Sequence, residues 1–308
     1  MIESRWHDDA LLRISRTPLL NCAHGFLSMA GVYTNVLSGL NGAMESGTAS
    51  AFNLTGKVAV VTGGNGGIGL AMATGLAKAG AEIAIWARNP EKNLKAVEVL
   101  SAFGTKVRAY QVDVAVKSEQ EAALKATVKD FGGIDIFVPN AGTTLRKKPE
   151  QYTTDEFESV MHTNLTAVFE GCNLVYPEMK RRGGGKIIMI GSMASNFGFG
   201  ISAVYAASKG AIVQYAKSLA SAWGKDNIQV NALLPGWIVT EITTQTRSIP
   251  GLVDMVLSRT PAGRWGKPDD FEGVATFLSS SASDFVTGAA IPIDGGFSSA
   301  LFLVDLPE

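Results

Sequence analysis

A doubly wound α/β domain is what most of this chain predicts, on three observations. From Lys57 onward, apolar runs of strand length alternate with segments of helical period. The runs are unbroken rather than alternating in polarity, and a glycine-rich turn follows the first of them. Strands alternating with helices imply a mostly parallel sheet with helices on both faces, and unbroken apolar strands fit burial from both sides. The strands are expected at "VAVVT" (58–62), "EIAIWA" (82–87), "VRAYQV" (107–112), "IDIFVP" (134–139), "KIIMIG" (186–191) and "IQVNALLP" (228–235). "GLAMATGLAKAG" and "SEQEAALKATVKDFGG" carry apolar residues every three or four positions and read as helices between them. One domain over 53–308 holds all of these, without an internal linker or repeat. The stretch 240–263, with Pro250, Gly251 and Pro261, fits the sheet poorly and is expected to form a lid over a substrate.

Residues 1–52 read as an extension, weakly structured or packed as an arm. "LLNCAHGFLSMAGVYTNVLSGL" follows Arg13 and Arg16, but Asn21, His24, Gly25, Ser28, Gly31, Asn35 and Gly39 interrupt it. It therefore lacks the apolar run of a membrane span and the compact core of a signal peptide. Met44 opens a polar lead into the first strand, so residues 1–43 are expected to lie upstream of the natural start. With 308 residues and a net charge of −1, the chain can bury a large core and gives no electrostatic case for nucleic acid or an anionic membrane. Cys22 and Cys172 are the only cysteines, far apart and outside any CxxC or Cys/His array. They read as free thiols in a reducing compartment, which places the protein in the cytoplasm. His7, His24 and His162 have no partner at metal-ligand spacing, so no metal is expected.

The first strand runs directly into "TGGNGGIG" (62–69) and then a helix. Gly63, Gly67 and Gly69 let the backbone turn tightly and approach a ligand, and the free N–H groups of the following helix suit a pyrophosphate. A tight corner would need some of these glycines too, but the place after the first buried strand favours a dinucleotide site. About 20 residues on, the second strand normally ends in an acid that takes the adenosine ribose hydroxyls of NAD. Ala87 stands in that place and Arg88 follows. A guanidinium can grip a 2′-phosphate in a fork, so NADP is favoured over NAD. Asn65 and Gly66 stand where a second basic residue would strengthen that choice, and NAD remains the alternative.

Four residues from separate elements are candidates for chemistry. In "VYAASKGA", Tyr205 precedes Lys209 by one helical turn, so the two share a face. An ammonium near a phenol favours phenolate and is expected to lower the tyrosine pKa from about 10 by 1 to 3 units. Ser192 ends the strand "KIIMIGS", where its hydroxyl reaches the sheet mouth and suits a substrate oxygen. Asn164, in "MHTNLTAVF", lies in a helical segment that asparagine disfavours, which points to a bond with a backbone carbonyl or a water.

Taken with "DV" at 113–114, "NAG" at 140–142, "NALLPG" and "IDGG", these motifs resemble the short-chain dehydrogenase/reductase family in its single-domain form, over Leu54 to about Ser298. Pro139 and Gly191 depart mildly from the family pattern. The resemblance implies a Rossmann-type, seven-stranded sheet and a hydride transfer beside a proton relay. It implies that Tyr205 exchanges the proton with a carbonyl or alcohol oxygen and Ser192 orients that oxygen. Lys209 would tune the tyrosine and hold the nicotinamide ribose, and Asn164 would support a water. It further implies cofactor contacts from Gly63, Asn65, Gly67, Ile68 and Gly69 in the turn, and Arg88, Asp113 and Val114 near the adenosine. Asn140, Ala141 and Gly142 would line the floor, with Pro235, Gly236, Ile238 and Thr240 at the nicotinamide end. A homo-oligomer, tetramer or dimer, is the usual family assembly.

The substrate is open at this point among a 3-oxoacyl thioester, a sugar or polyol, and a cyclic secondary alcohol. Thr143, Thr144, Met193, Phe197 and Trp237 give the expected pocket an apolar and aromatic weight, which suits a hydrophobic or cyclic carbonyl more than a highly charged sugar acid. "RKK" (146–148) and "KRR" (180–182) read most simply as solvated, with an acidic group at Arg146 a minor possibility. "DGG" (294–296) reads as a structural turn. A dinucleotide-binding regulator that kept the fold and lost chemistry is the alternative to an enzyme, although it would tolerate losing one of Asn164, Ser192, Tyr205 and Lys209.

Overall fold

The computed structural model describes residues 50–300, so residues 1–49 of the extension, with Met44, Cys22, His7 and His24, lie outside the described residues. Seven strands form one sheet: β1 (Val58–Thr62), β2 (Glu82–Ala87), β3 (Val107–Gln111), β4 (Ile136–Val138), β5 (Gly185–Ile190), β6 (Ile228–Pro235) and β7 (Ala290–Ile293). Their order is β3-β2-β1-β4-β5-β6-β7, and every neighbouring pair is parallel. The sheet is thus parallel throughout. β4 is shorter than its apolar run because Asp135 and Pro139 bracket it.

Successive side chains of a strand point to opposite faces, and each face has its own core. Ala59, Val61, Ile83, Ile85, Val138, Ile188 and Ile190 pack on one side with Met72 and Leu76 of α1 (Gly67–Lys78), Ala96 and Leu100 of α2 (Pro90–Ser101), and residues near 271–278. Val60, Trp86, Phe137, Ile187, Met189 and Val230 pack on the other. Their partners there are Ala123 of α3 (Lys117–Phe131), Cys172 and Val175 of α5 (Ala167–Arg181), and Ile212 and Ala216 of α6 (Ala203–Trp223). This double burial is why the inner strands carry no polar alternation; β3, at the sheet edge, departs from the expected buried run, with Arg108 and Gln111 exposed. Cys172 is fully enclosed, and burial pushes its thiol pKa up, so it is an inert core residue.

α4 (Thr154–Met161) opens on a capping box, with Thr153 and Glu156 bonding each other's backbone N–H, and runs through a π-helical turn, His162–Thr166, into α5. Residues 240–263 hold two short helices, α7 (Thr244–Arg247) and α8 (Leu252–Ser258). The last, α9 (Glu272–Ser279), packs on α1, where a Cβ on Gly75 would stand 2.5 Å from the Glu272 carbonyl oxygen. Among the described residues no helix is long and apolar enough to cross a membrane. Strand order reverses between β1 and β4, which opens a crevice at the carboxyl ends of those strands.

Candidate active site

The turn after β1 forms one wall of the crevice. Gly63 and Gly67 adopt φ of +63° and +52°, a region that favours glycine. Gly69 packs so closely that a Cβ would meet the Asn140 amide at 2.4 Å and the Gly63 carbonyl at 2.5 Å, whereas a Cβ on Gly66 would meet nothing within 4 Å. Glycine at 69 therefore serves the packing of α1, while the space beside Gly66 at the helix N-terminus is an open cradle for an anion. Ile68 lies in the first turn of α1, partly buried against the core.

The loop after β4 braces this turn. The Asn140 side chain donates to the Thr62 carbonyl at 3.0 Å, and the Ala141 N–H donates to Thr62 Oγ1 at 2.9 Å. Asn65 donates to Asn93 Oδ1 at 2.7 Å, so its side chain ties the turn to α2. Asn140 and Asn65 thus spend these side-chain bonds on shaping the cradle.

Ala87 is the last residue of β2 and is buried. Beside it the Arg88 side chain is 77% exposed and lies 3.7 Å from an oxygen of Asp113. Such a loose exposed pair leaves the guanidinium able to turn to another anion. Val114 is buried in the core and Asp113 caps the turn through the Ala115 N–H at 3.0 Å. At the far end of the crevice, Pro235 ends β6, and a Cβ on Gly236 would meet Asp294 Cβ at 2.5 Å. The Asp294 carboxylate in turn accepts the Gly296 and Ser298 N–H groups, each at 2.9 Å, and closes the "DGG" turn. Ile238 points into the core, and its carbonyl accepts the Thr243 hydroxyl at 2.7 Å. Thr240 Cγ2 stands 3.6 Å from where a Cβ of Gly67 would be.

Asn164, Ser192, Tyr205 and Lys209 converge beside the 140–143 loop. Asn164 sits in the π-helical turn, a bulge that turns its side chain out of register with the helix. Its Oδ1 accepts the Thr143 N–H at 2.8 Å, and its Nδ2 donates to the Thr143 carbonyl at 2.9 Å and to Ser208 Oγ at 3.0 Å. The expected bond to a backbone carbonyl is the one to Thr143, and both amide hydrogens are engaged in this clamp. Ser192 follows β5 and caps a short turn, its Oγ accepting the Ala194 N–H at 3.1 Å. Gly191 departs from the family pattern where space is short: a Cβ there would meet Leu234 Cδ2 at 2.5 Å.

Lys209 is buried, and its Nζ donates to the Ile190 carbonyl at 2.8 Å and lies 5.7 Å from the centre of the Tyr205 ring. Burial pushes its pKa down to about 8. The tyrosine departs from expectation: its pKa is raised above the ordinary value, because burial outweighs the Ser192 hydroxyl and the charge of Arg146, which favour phenolate. Spacing revealed that the two groups are neighbours. It could not reveal that Lys209 is buried and Tyr205 half-buried, which disfavours the charged form of each.

Arg146 is the residue the sequence reading undervalued. Lys147 Nζ is paired to Glu156 Oε1, and Arg146 Nη2 donates to the Ile242 carbonyl at 3.3 Å. The Arg146 Nε is buried without a hydrogen-bond partner, and among the described residues no carboxylate pairs with its guanidinium. Within "RKK", Lys148 is exposed as expected, whereas Arg146 and Lys147 are half-buried. The signal available was position: Arg146 lies four residues past Gly142, on the loop that edges the crevice. Nearby, Trp237 packs against Phe199 at 6.0 Å, Trp265 at 5.4 Å and Phe297 at 6.4 Å between ring centres. Phe197 is half-exposed beyond this aromatic wall, and Met193 and Thr144 lie on the adjoining loops.

The sequence profile of the enoyl-(acyl carrier protein) reductase family of short-chain dehydrogenases matches residues 63–298. The chain is 38% identical over 250 residues to gluconate 5-dehydrogenase of Gluconobacter oxydans (strain 621H), covering 81% of this chain and 98% of that one. It is 40% identical over 245 residues to 5-keto-D-gluconate 5-reductase of Escherichia coli (strain K12), covering 80% and 96%. Among solved structures, a gluconate 5-dehydrogenase from Burkholderia cenocepacia J2315, in complex with NADP and tartrate, superposes with a TM-score of 0.79 at 38% identity, covering 82% and 100%.

Proposed function

This chain belongs to the short-chain dehydrogenase/reductase family and is an NAD(P)-dependent oxidoreductase of secondary alcohols and ketones; on that premise we propose that its substrate is a sugar acid and its working cofactor NADP. The observation that carries the substrate reading is the Arg146 guanidinium, which has no carboxylate partner among the described residues and acts on Tyr205 through its charge. A positive charge at the reacting end of a crevice calls for an anionic substrate, and the fork of an arginine fits a carboxylate. This reverses the preference for a hydrophobic ketone drawn from the aromatic residues alone. The relatives' names denote sugar-acid chemistry, which supports the same reading.

Each group then has a task. The α1 N-terminus and the open space at Gly66 hold the dinucleotide phosphates, and Arg88, with Ala87 in place of an acid, takes the 2′-phosphate. Asp113 and Val114 border the adenosine, and the backbone of 140–142 and of 235–240 borders the nicotinamide end. When bound, the nicotinamide supplies or accepts the hydride. Ser192 Oγ orients the reacting oxygen. Tyr205, whose raised pKa keeps the phenol protonated at neutral pH, donates its proton to the ketone oxygen in reduction and receives it in oxidation. Lys209 stands behind the phenol, and Arg146 anchors the far carboxylate. A silent regulator gains no support from any observation, since all four catalytic candidates are present and adjoining.

We further propose a cytoplasmic homo-oligomer, dimer or tetramer, in which 240–263 closes over the substrate and residues 1–52 form a separate arm. The half-exposed Phe157 and Phe169 on α4 and α5 support a self-contact there. Light scattering on the purified chain reads the assembly state.

The test of function is steady-state turnover of gluconate and 5-ketogluconate against the neutral polyol glucitol, with both cofactors. Arg146→Gln should lower kcat/KM for the acids by about 10- to 100-fold, the worth of a charge-assisted bond, and leave the neutral polyol within a few-fold. Equal loss on both, or none on the acids, overturns the sugar-acid reading. Tyr205→Phe should lower turnover by roughly 10²- to 10⁴-fold with NADPH still bound.

A further inference from the structure

Across the mouth of the crevice, Lys92 in the first turn of α2 meets Glu241, 149 residues later, with Nζ 2.7 Å from both carboxylate oxygens. Each foot of this pair stands on one side of the glycine turn. On the α2 side, Asn89 and Asn93 hold the Asn65 side chain, at 3.5 Å and 2.7 Å. On the other, Glu241 directly follows Thr240, whose methyl lies 3.6 Å from the position of a Gly67 Cβ. Among the described residues this is the one polar link between α2 and the lid segment. The neighbouring Ile242 carbonyl is held from the substrate side by Arg146 at 3.3 Å. The start of the lid is thereby tethered at both ends of the crevice, by one cation from each half.

We infer that the Lys92–Glu241 pair is a clasp arching over the phosphate turn, and that its opening governs how fast the dinucleotide enters and leaves. The inference rests on the dinucleotide occupying that turn, as proposed above. The pair is built to open. The side chains of Lys92 and Glu241 are 45% and 84% exposed, so water and salt compete for both charges. Such a pair is weak enough to break on each catalytic cycle and strong enough to slow release. Neither residue is among the groups assigned to the proton relay or to the phosphates, so both act as positioning residues through the lid.

The experiment is a double-mutant cycle on the full chain, read as NADPH dissociation by stopped-flow fluorescence. Glu241→Gln should raise the dissociation rate about 2- to 5-fold in the native background and have no effect in a Lys92→Met background. The native rate should also rise with salt, until the native chain and Glu241→Gln converge near 1 M, where the Debye length is about 3 Å. An unchanged rate in Glu241→Gln overturns the clasp, as does an equal acceleration in both backgrounds. If the native chain fails to bind NADPH, the cofactor reading fails and the clasp falls with it.

Discussion

Replacing Lys209 by methionine should change how stability depends on pH, because Lys209 is buried where charge is disfavoured. Burial moves its pKa from 10.5 to about 8 in the folded protein, whereas the unfolded chain keeps the ordinary value. Between those two pH values the unfolded state binds more protons than the folded state, so stability rises with pH there. The cost is therefore fully present below pH 8 and is lifted as pH approaches 10.5. At about 1.4 kcal/mol per pH unit it is on the order of 3 kcal/mol. Methionine matches the length of the side chain and carries no charge, so Lys209→Met removes this pH-dependent part. It also leaves the Ile190 carbonyl without its donor, a constant loss of about 1–3 kcal/mol. The slope of the difference, rather than its level, carries the information. Urea unfolding of both proteins between pH 7 and 10.5 should show the native chain gaining on the variant by about 3 kcal/mol. Parallel stability curves across that window would show that Lys209 ionises in the fold as it does in water, and would refute the reasoning.

Three other outcomes are expected. Gly69→Ala should cost about 1–3 kcal/mol in a thermal or urea melt and weaken NADPH binding, because its methyl would press on the Asn140 amide and the Gly63 carbonyl. Ala87→Asp with Arg88→Ile should move the NADP/NAD ratio of kcat/KM toward NAD by roughly tenfold or more, the worth of one charge-assisted contact. Asp135→Ala should destabilise the fold by about 3 kcal/mol and leave KM unchanged. Its carboxylate grips Arg182 at 2.8 Å through two oxygens and accepts the Val58 N–H at 2.9 Å, all at the amino ends of the strands, away from the crevice. A change in KM there would show that the two ends of the sheet are coupled.

The buried strands were legible because burial on both faces leaves a continuous apolar run, as in 58–62 and 228–235. β7 left no such run: "AIPI" is half-exposed and contains a proline, so only the family resemblance supplied a seventh strand. The catalytic candidates were legible as types and spacings. Their environment was not. The π-helical turn that presents Asn164 depends on bonds to Thr143 and Ser208, 21 and 44 residues distant. The raised pKa of Tyr205 depends on how much protein surrounds it. The half-burial of Arg146 was hidden for a related reason, since a basic run looks solvated until the bond to the distant Ile242 carbonyl is seen. In each case the missing quantity was a contact or a degree of burial set by residues distant in the chain, which local sequence does not encode.

Hydrogen bonds from Asn140 and Ala141 to Thr62, the covalent chain through Gly142 to Thr143, and the bonds from Thr143 to Asn164, Ser208 and the Tyr205 carbonyl together connect the glycine turn to the backbone of Tyr205. None of the residues from 193 to 201, at Trp237, or in 240–263 belongs to that connection. Of the first of these stretches only Ser195 is bonded into the frame by its side chain, its Oγ donating to the Lys209 carbonyl at 2.7 Å and accepting the Ser192 N–H at 3.1 Å, so chassis and bodywork meet at few points. Grafting 196–201 between relatives, with Ser195 kept, should therefore change the rim of the crevice while leaving Tyr205 and Asn164 in place.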